Sequence, residues 1–406
     1  MASDGLMPVE DALRRILGSA RVVPGTDEVP LRQAAGRTLT ADLAARRTQP
    51  PVSVSAMDGY AVREADVAST PADLQQIGES AAGRGYAGTV GAKQTVRIFT
   101  GAPLPTGADA ILIQENATVS GNVVTALEPV VAGRHVRPAG QDFTAGEILL
   151  RAGRRLSPAD VALAAAMNLA ALPCRRPPRV AILATGDELV QPGAEPGPHQ
   201  IVASNSFAIA ALVEAAGGMA IDLGIAADNL AALAGAFAQA EAERADLLIT
   251  LGGASVGDHD LVQQALVEGG LTLDFWKIAM RPGKPLMHGR LRTMQVLGLP
   301  GNPVSAIVCG LLFVRPLVRA MLGDPGADQD PSEPARLGAE LPANDGRQDY
   351  LRARLVRSSE AFPEVFPGRR QDSSMLKALS DAECLVIRPP LAPAARVGDA
   401  CRVIRL

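Results

Sequence analysis

The chain of 406 residues carries 39 Lys and Arg against 43 Asp and Glu, a net charge of -4, with 47% hydrophobic and 20% charged residues. This length exceeds the roughly 250–300 residues that one core organises, so two or more domains are expected, and the composition is that of a folding chain. The acidic balance excludes a broad nucleic-acid footprint, which needs a basic domain or a Lys/Arg stripe, and favours small-molecule partners.

Residues 1–8 lack the basic and apolar regions of a secretory leader. The first helix, predicted over 9–20, places Val9, Leu13, Ile16 and Leu17 on one face. From about 48 to 146 the pattern changes to short β-like runs (95–99, 110–114, 122–126) separated by Gly and Pro, which predicts a separate β-rich unit. A helix then spans about 156–170, where Ser157, Pro158 and Asp160 supply an N-cap, a first-turn proline and the acidic arm of a capping box. Helices on both sides of the β-rich stretch predict its insertion into one discontinuous domain.

From 179 onward apolar strands alternate with helices. Strand 180–184, helix 207–216 stopped by Gly217 and Gly218, helix 230–242, strand 247–251, helix 261–267, strand 293–299 and a helix after Pro303 form a doubly wound α/β layout. The apolar stretch 304–322 is interrupted by Ser305, Arg315, Pro316 and Arg319, so no membrane span is expected and the protein is read as cytoplasmic. Beyond Gly323, short strands near 352–356 and 384–388 predict a small C-terminal β domain. Cys174, Cys309, Cys384 and Cys401 show no zinc-like spacing and are expected to be buried, reduced thiols.

Ligands of open α/β sheets bind beyond the carboxyl ends of the strands. The loops there read Thr185-Gly186-Asp187-Glu188 and Gly252-Gly253-Ala254-Ser255-Val256-Gly257-Asp258-His259-Asp260. Two further segments are 277–285, with Lys277, Arg281 and Lys284, and 299–305, with Pro300, Gly301, Asn302, Pro303 and Ser305 at a helix start. Glycines let backbone amides approach an oxyanion, and helix N-termini add a positive dipole end. The cations would hold phosphate or molybdate; Glu188, Asp228, Asp258 and Asp260 could carry a hard ion such as Mg²⁺.

Each loop alone is more often an ordinary turn, but such loops at consecutive strand ends are harder to dismiss. His259 has no second histidine at metal-ligand spacing, so a surface or supporting role is expected. Gly283-Lys284-Pro285 lacks the flanking residues of a P-loop, and Gly83 to Gly88, although it satisfies G-x-G-x-x-G, lies in the β-rich insert and is read as a mobile loop.

Taken together the motifs resemble the molybdopterin molybdenumtransferases, the family that includes the E domain of gephyrin. The resemblance rests on residues 55–61 (SAMDGYA), 100–109 (TGAPLPTGAD), 137–142, 184–189 (ATGDEL), 250–257, 275–285 and 299–306 (LPGNPVSA), in the family's order over nearly the whole chain. It implies a discontinuous N-terminal domain (1–47 and 147–176), an inserted β-rich domain (48–146), a molybdopterin-binding α/β domain (177–328) and a C-terminal β-barrel domain (329–406). The implied reaction inserts molybdenum from molybdate into adenylylated molybdopterin with release of AMP and a requirement for Mg²⁺. The implied homodimer shares its sites, so that Asp58 and Asp142 reach the partner's cleft, and a molybdopterin adenylyltransferase is the expected upstream partner.

On this resemblance Glu188, Asp228 and Asp260 serve the metal or water activation, and Lys277, Arg281 and Lys284 the anions. Thr185, Gly186, Asp187, Gly252, Gly253 and Ser255 join Pro300, Gly301, Asn302, Pro303 and Ser305 around the pterin or phosphate. The chain departs from many relatives at Val52, Ser53 and Val54, and at Arg281, where many have Lys and donor geometry therefore changes. The C-terminal domain matches weakly, with 371–376 as an echo. Two alternatives are an adenylyltransferase, which shares the α/β domain, and a scaffold without catalysis on the same fold.

Overall fold

The computed structural model describes residues 5–252, 261–356 and 362–406. Its centre is a six-stranded sheet built from β1 (Arg179–Thr185), β2 (Met219–Ala226), β3 (Leu247–Leu251), β4 (Leu271–Trp276), β5 (Met287–Leu291) and β6 (Met294–Leu299), in the order β2-β1-β3-β6-β5-β4. The first four in that order run parallel, and β5 is antiparallel to both its neighbours. Successive residues of a strand point to opposite faces. Val180 and Ile182 therefore enter one apolar cluster and Ala181 and Leu183 another. Burial on both faces is why these strands read as continuous apolar runs.

Helices α1 (Asn205–Ala215), α2 (Leu230–Ala242) and α3 (Leu261–Glu268) cover the sheet, as does the helical stretch Pro303–Met321. That stretch is long and apolar enough to cross a membrane, but 67% of its apolar window is buried inside the fold. A π-helical turn at Gly310–Val314 precedes Pro316, whose missing N–H and bulky ring disturb the regular ladder. Strands β2, β4 and β5, which the sequence pattern did not reveal, are edge or near-edge strands whose apolar residues alternate with polar ones.

The helix Val9–Ser19 buries Val9, Ala12 and Ile16 against this α/β core, in the same cluster as Ile182 and Met321. Although the sequence places it at the start of the discontinuous unit, its apolar face thus packs on the α/β unit. In the unit that follows, Thr26–Pro30 pairs with Ala171–Arg175 and Leu43–Ala44 with Ile148–Leu150, joining segments on either side of the insert. Helix Pro158–Ala166 has the expected capping box. It stops short of 170 because Asn168 is left-handed (φ 66°) and the next residues pair as a strand. Ser157→Ala is expected to lower stability by about 1 kcal/mol in chemical denaturation, the typical cost of a lost N-cap.

The insert holds a six-stranded sheet in the order Ala110–Ile113, Gly59–Val62, Gln94–Ile98, Ala72–Ser80, Val123–Ala126, Ala117–Ser120. In the G-x-G-x-x-G segment within it Gly88 has a packing reason, since a Cβ there would lie 2.7 Å from the Tyr86 ring. In the C-terminal unit Gln348–Val356, Glu364–Pro367, Glu333–Leu337, Ala400–Arg405 and Cys384–Arg388 close into a five-stranded barrel. Met280–Arg281 of the α/β unit pairs alongside its Gln348 and Asp349. All four cysteines are free, and burial pushes the thiols of Cys174 and Cys384 up to about 11, which leaves them protonated.

Candidate active site

A cavity of about 940 Å³ opens beyond the carboxyl ends of β1, β3 and β6. Thr185 ends β1, and its hydroxyl donates to the Leu251 carbonyl at 3.4 Å, tying two strand ends together. Gly252 follows with φ 102°, and a Cβ there would lie 2.8 Å from the Thr185 carbonyl, so this turn requires glycine. Gly301 sits against it, its Cβ position only 3.6 Å from the Gly252 Cα. Close glycine packing thus forms the cavity floor.

One wall is acidic. Glu188 and Asp228 line it, and Asp187 accepts a hydrogen bond from the Asp228 amide at 3.1 Å. Burial, and then the negative charges of Asp187 and Glu188, raise the Asp228 pKa above the ordinary carboxylate value. Like charges held together in this way fit a hard cation bound largely through water and substrate, which is how Mg²⁺ usually sits. Among the described residues no group of three or more acidic, His or Cys side chains forms a cage for an ion.

Two helix starts also line the cavity. Ser204, Asn205 and Ser206 open α1, and Asn302 and Pro303 open the long helix. Asn205 Nδ2 donates to the Gly301 carbonyl at 2.7 Å, locking one start to the other. Free amides and dipole ends at such positions suit oxyanions. Ser305 is buried in the first turn and does not line the cavity.

The predicted cations stand differently. None of Lys277, Arg281 and Lys284 lines the cavity, although Pro285 does. Bonds from Lys277 N to Leu286 O and from Ile278 N to Lys284 O fold this loop back on itself, and the Lys277 ammonium lies 3.9 Å over the Trp276 ring. Arg281 pairs with Asp349 and, at 3.1 Å, with Asp345 of the barrel, so its charge is already matched. Asp58 and Asp142 are also apart from the cavity. Asp58 accepts from the Thr100 amide and hydroxyl, which hold its carboxyl below the usual range. Asp142 lines another cavity of about 590 Å³, together with Arg47 and Arg137. Gly253, Ser255 and Asp260, with Asp258 and His259, lie outside the described residues.

Residues 7–168 match the MoeA N-terminal region (domains I and II), 181–320 a probable molybdopterin binding domain, and 334–406 the MoeA C-terminal region (domain IV). The molybdopterin molybdenumtransferase of Haemophilus influenzae is 34% identical, covering 94% of each chain. Molybdopterin molybdenumtransferase 2 of Mycobacterium tuberculosis is 39% identical over 80% of this chain and 82% of its own. The chain belongs to the molybdopterin molybdenumtransferase family. A crystal structure of the molybdopterin biosynthesis MoeA protein of Pyrococcus horikoshii shares the fold, with a TM-score of 0.85 at 26% identity over 99% of this chain and 100% of that one.

Within this family fold, domain IV closes the cavity with Ser374 and Leu376. Asn302 donates to the Ser373 hydroxyl at 3.0 Å and the Val304 amide to its carbonyl at 3.1 Å. Sequence reasoning found the echo at 371–376 but not its place, since nothing local says that a barrel loop reaches a distant helix start. It also missed Asn205, whose signal was the Ser-Asn-Ser triplet ahead of the predicted helix. Asn205→Ala is expected to weaken adenylate binding about fivefold, the equivalent of about 1 kcal/mol for one hydrogen bond, in equilibrium titration.

Proposed function

We propose that this chain inserts molybdenum from molybdate into adenylylated molybdopterin and releases AMP, the last stage of molybdenum cofactor assembly. The observation that carries the reading is one cavity lined both by Glu188 and Asp228 and by two helix starts. The helix amides and the Asn205-locked loop would hold the pyrophosphate, whose charge they complement. Glu188 and Asp228, supported by Asp187, would hold Mg²⁺ through a few carboxylate oxygens. When bound, Mg²⁺ supplies neutralisation of charge developing at the phosphoryl group.

Burial and the charges of Asp187 and Glu188 disfavour a bare carboxylate at Asp228, a cost that a bound cation would relieve. Lys277 and Lys284 have no carboxylate within ion-pair distance among the described residues, which leaves them available to a docked anion. Water attacking the pyrophosphate link would free AMP, and the dithiolene sulfurs would take the metal as one molybdate oxygen leaves as water with their two protons. Asp58 and Asp142 would serve the cleft of a second copy in a homodimer, since both lie outside the cavity of their own chain. A cytoplasmic location and an upstream molybdopterin adenylyltransferase complete the proposal.

Purified protein, adenylylated molybdopterin, molybdate and Mg²⁺ test it through AMP release and reconstitution of a molybdenum apo-enzyme. Both are expected to appear together. ATP consumption with free pterin would mark an adenylyltransferase instead, and tight adenylate binding without AMP release a scaffold.

A further inference from the structure

A cleft of about 560 Å³ at β4 and β5 shares no lining residue with the substrate cavity. Ser19, Asp274 and His288 all line it. His288 Nδ1 is 3.0 Å from Asp274 Oδ2, and His288 Nε2 is 3.3 Å from the Ser19 hydroxyl. We propose that Ser19, His288 and Asp274 form a nucleophile, base and orienting acid, a second active site acting on small carboxylic esters.

Each member is held in place. Ser19 is the last residue of helix Val9–Ser19, and its carbonyl accepts from Gln295 Nε2 at 2.8 Å and from Arg290 at 2.9 Å. Arg15 binds the other Asp274 oxygen at 3.0 Å, fixing the carboxylate. An acid on Nδ1 sets the tautomer that leaves the Nε2 lone pair facing the serine. His288 is only 3% exposed, and burial holds the imidazole below its ordinary pKa, so it is a neutral base at pH 7. The Ser19 proton also has the Ile16 carbonyl at 2.8 Å and Gln295 Oε1 at 3.3 Å as acceptors, and rotation about Cβ–Oγ directs it to His288 without moving a heavy atom. Separations slightly beyond 3.2 Å are usual for such pairs before a substrate binds.

In the reaction, Ser19 Oγ bonds to the ester carbonyl carbon and its proton passes to His288 Nε2. Arg290 supplies N–H donors for the oxyanion. The carbon–alkoxide bond breaks, the alkoxide takes the proton, and an acyl-Ser19 remains. Water then attacks with His288 as base, releasing the acid and restoring the serine. Arg290 on the cleft, which pairs with no carboxylate among the described residues, favours esters with an anionic group.

The test exposes the full chain to a fluorophosphonate probe and to p-nitrophenyl acetate, with the adduct located by mass spectrometry. Labelling of Ser19 is expected, with ester turnover about 10²-fold above Ser19→Ala and labelling at least about tenfold slower in Asp274→Asn. Ser19→Ala removes one hydroxyl, and a Tm scan confirms its folding. The parent chain alone decides the matter: an unlabelled Ser19 in folded protein overturns the proposal. So does labelling that proceeds equally fast in a folded Asp274→Asn protein.

Discussion

Asp228→Asn is expected to slow molybdenum insertion by about 10²–10³-fold, the scale of losing one group that stabilises developing charge, here through the Mg²⁺ it would hold, while leaving the metal-free protein slightly more stable at pH 7. Asp228 sits between burial and the charges of Asp187 and Glu188, all of which disfavour its ionised form. Its folded pKa is therefore raised above the unfolded value. Below the unfolded value the group is protonated in both states and costs nothing. As pH rises through the folded pKa, the folded state must hold a charge it disfavours, and stability falls. An amide at this position removes that cost and the chemistry together. Thermal scans at pH 7 and at a pH below the ordinary carboxylate range check the sign, because the stability gain should vanish in the second. A companion Asp187→Asn change removes one repelling charge and should recover part of the same stability gain in the metal-free protein. Unchanged insertion in Asp228→Asn would remove this residue from the site.

Arg352→Ala is expected to cost about 3 kcal/mol of stability and to abolish high-affinity adenylate binding. Arg352 is 3% exposed, yet among the described residues it pairs with no carboxylate. It donates to Gln371 Oε1 at 3.2 Å, to the Asp372 carbonyl at 2.8 Å and to the Arg370 carbonyl at 3.3 Å. Gln371 Nε2 returns a bond to the Arg352 carbonyl at 3.0 Å. These bonds shape the loop that brings Ser373 to Asn302 and Ser374 to the cavity. Hydrogen bonds to a charged group contribute about 1.5–3 kcal/mol each, and truncation also leaves the Arg370 and Asp372 carbonyls without this donor. Arg352→Lys keeps the charge but cannot fork to several carbonyls, so it should recover part of the stability and little of the binding. Chemical denaturation alongside adenylate titration separates the two effects. Equal recovery of both by Lys would mean that charge alone matters.

The sequence by itself determined the elements whose signals are local. Strand Leu247–Leu251 and helix Leu230–Ala242 have the predicted bounds, because an apolar run buried on both faces and a capped helix each declare themselves within a few residues. The loops holding Thr185, Glu188, Gly252 and Gly301 were legible for the same reason, since strand ends in such sheets mark the ligand side, whereas the strand leading to Asp228 was not read. The tertiary structure alone decided what depends on distant partners. It matched Arg281 with Asp345 and Asp349, brought Ser373 across to Asn302, packed helix Val9–Ser19 on the α/β core and joined Ser19 to His288. Patterns within one segment report which face is buried, but the group that meets a side chain is set by how separate units close on one another.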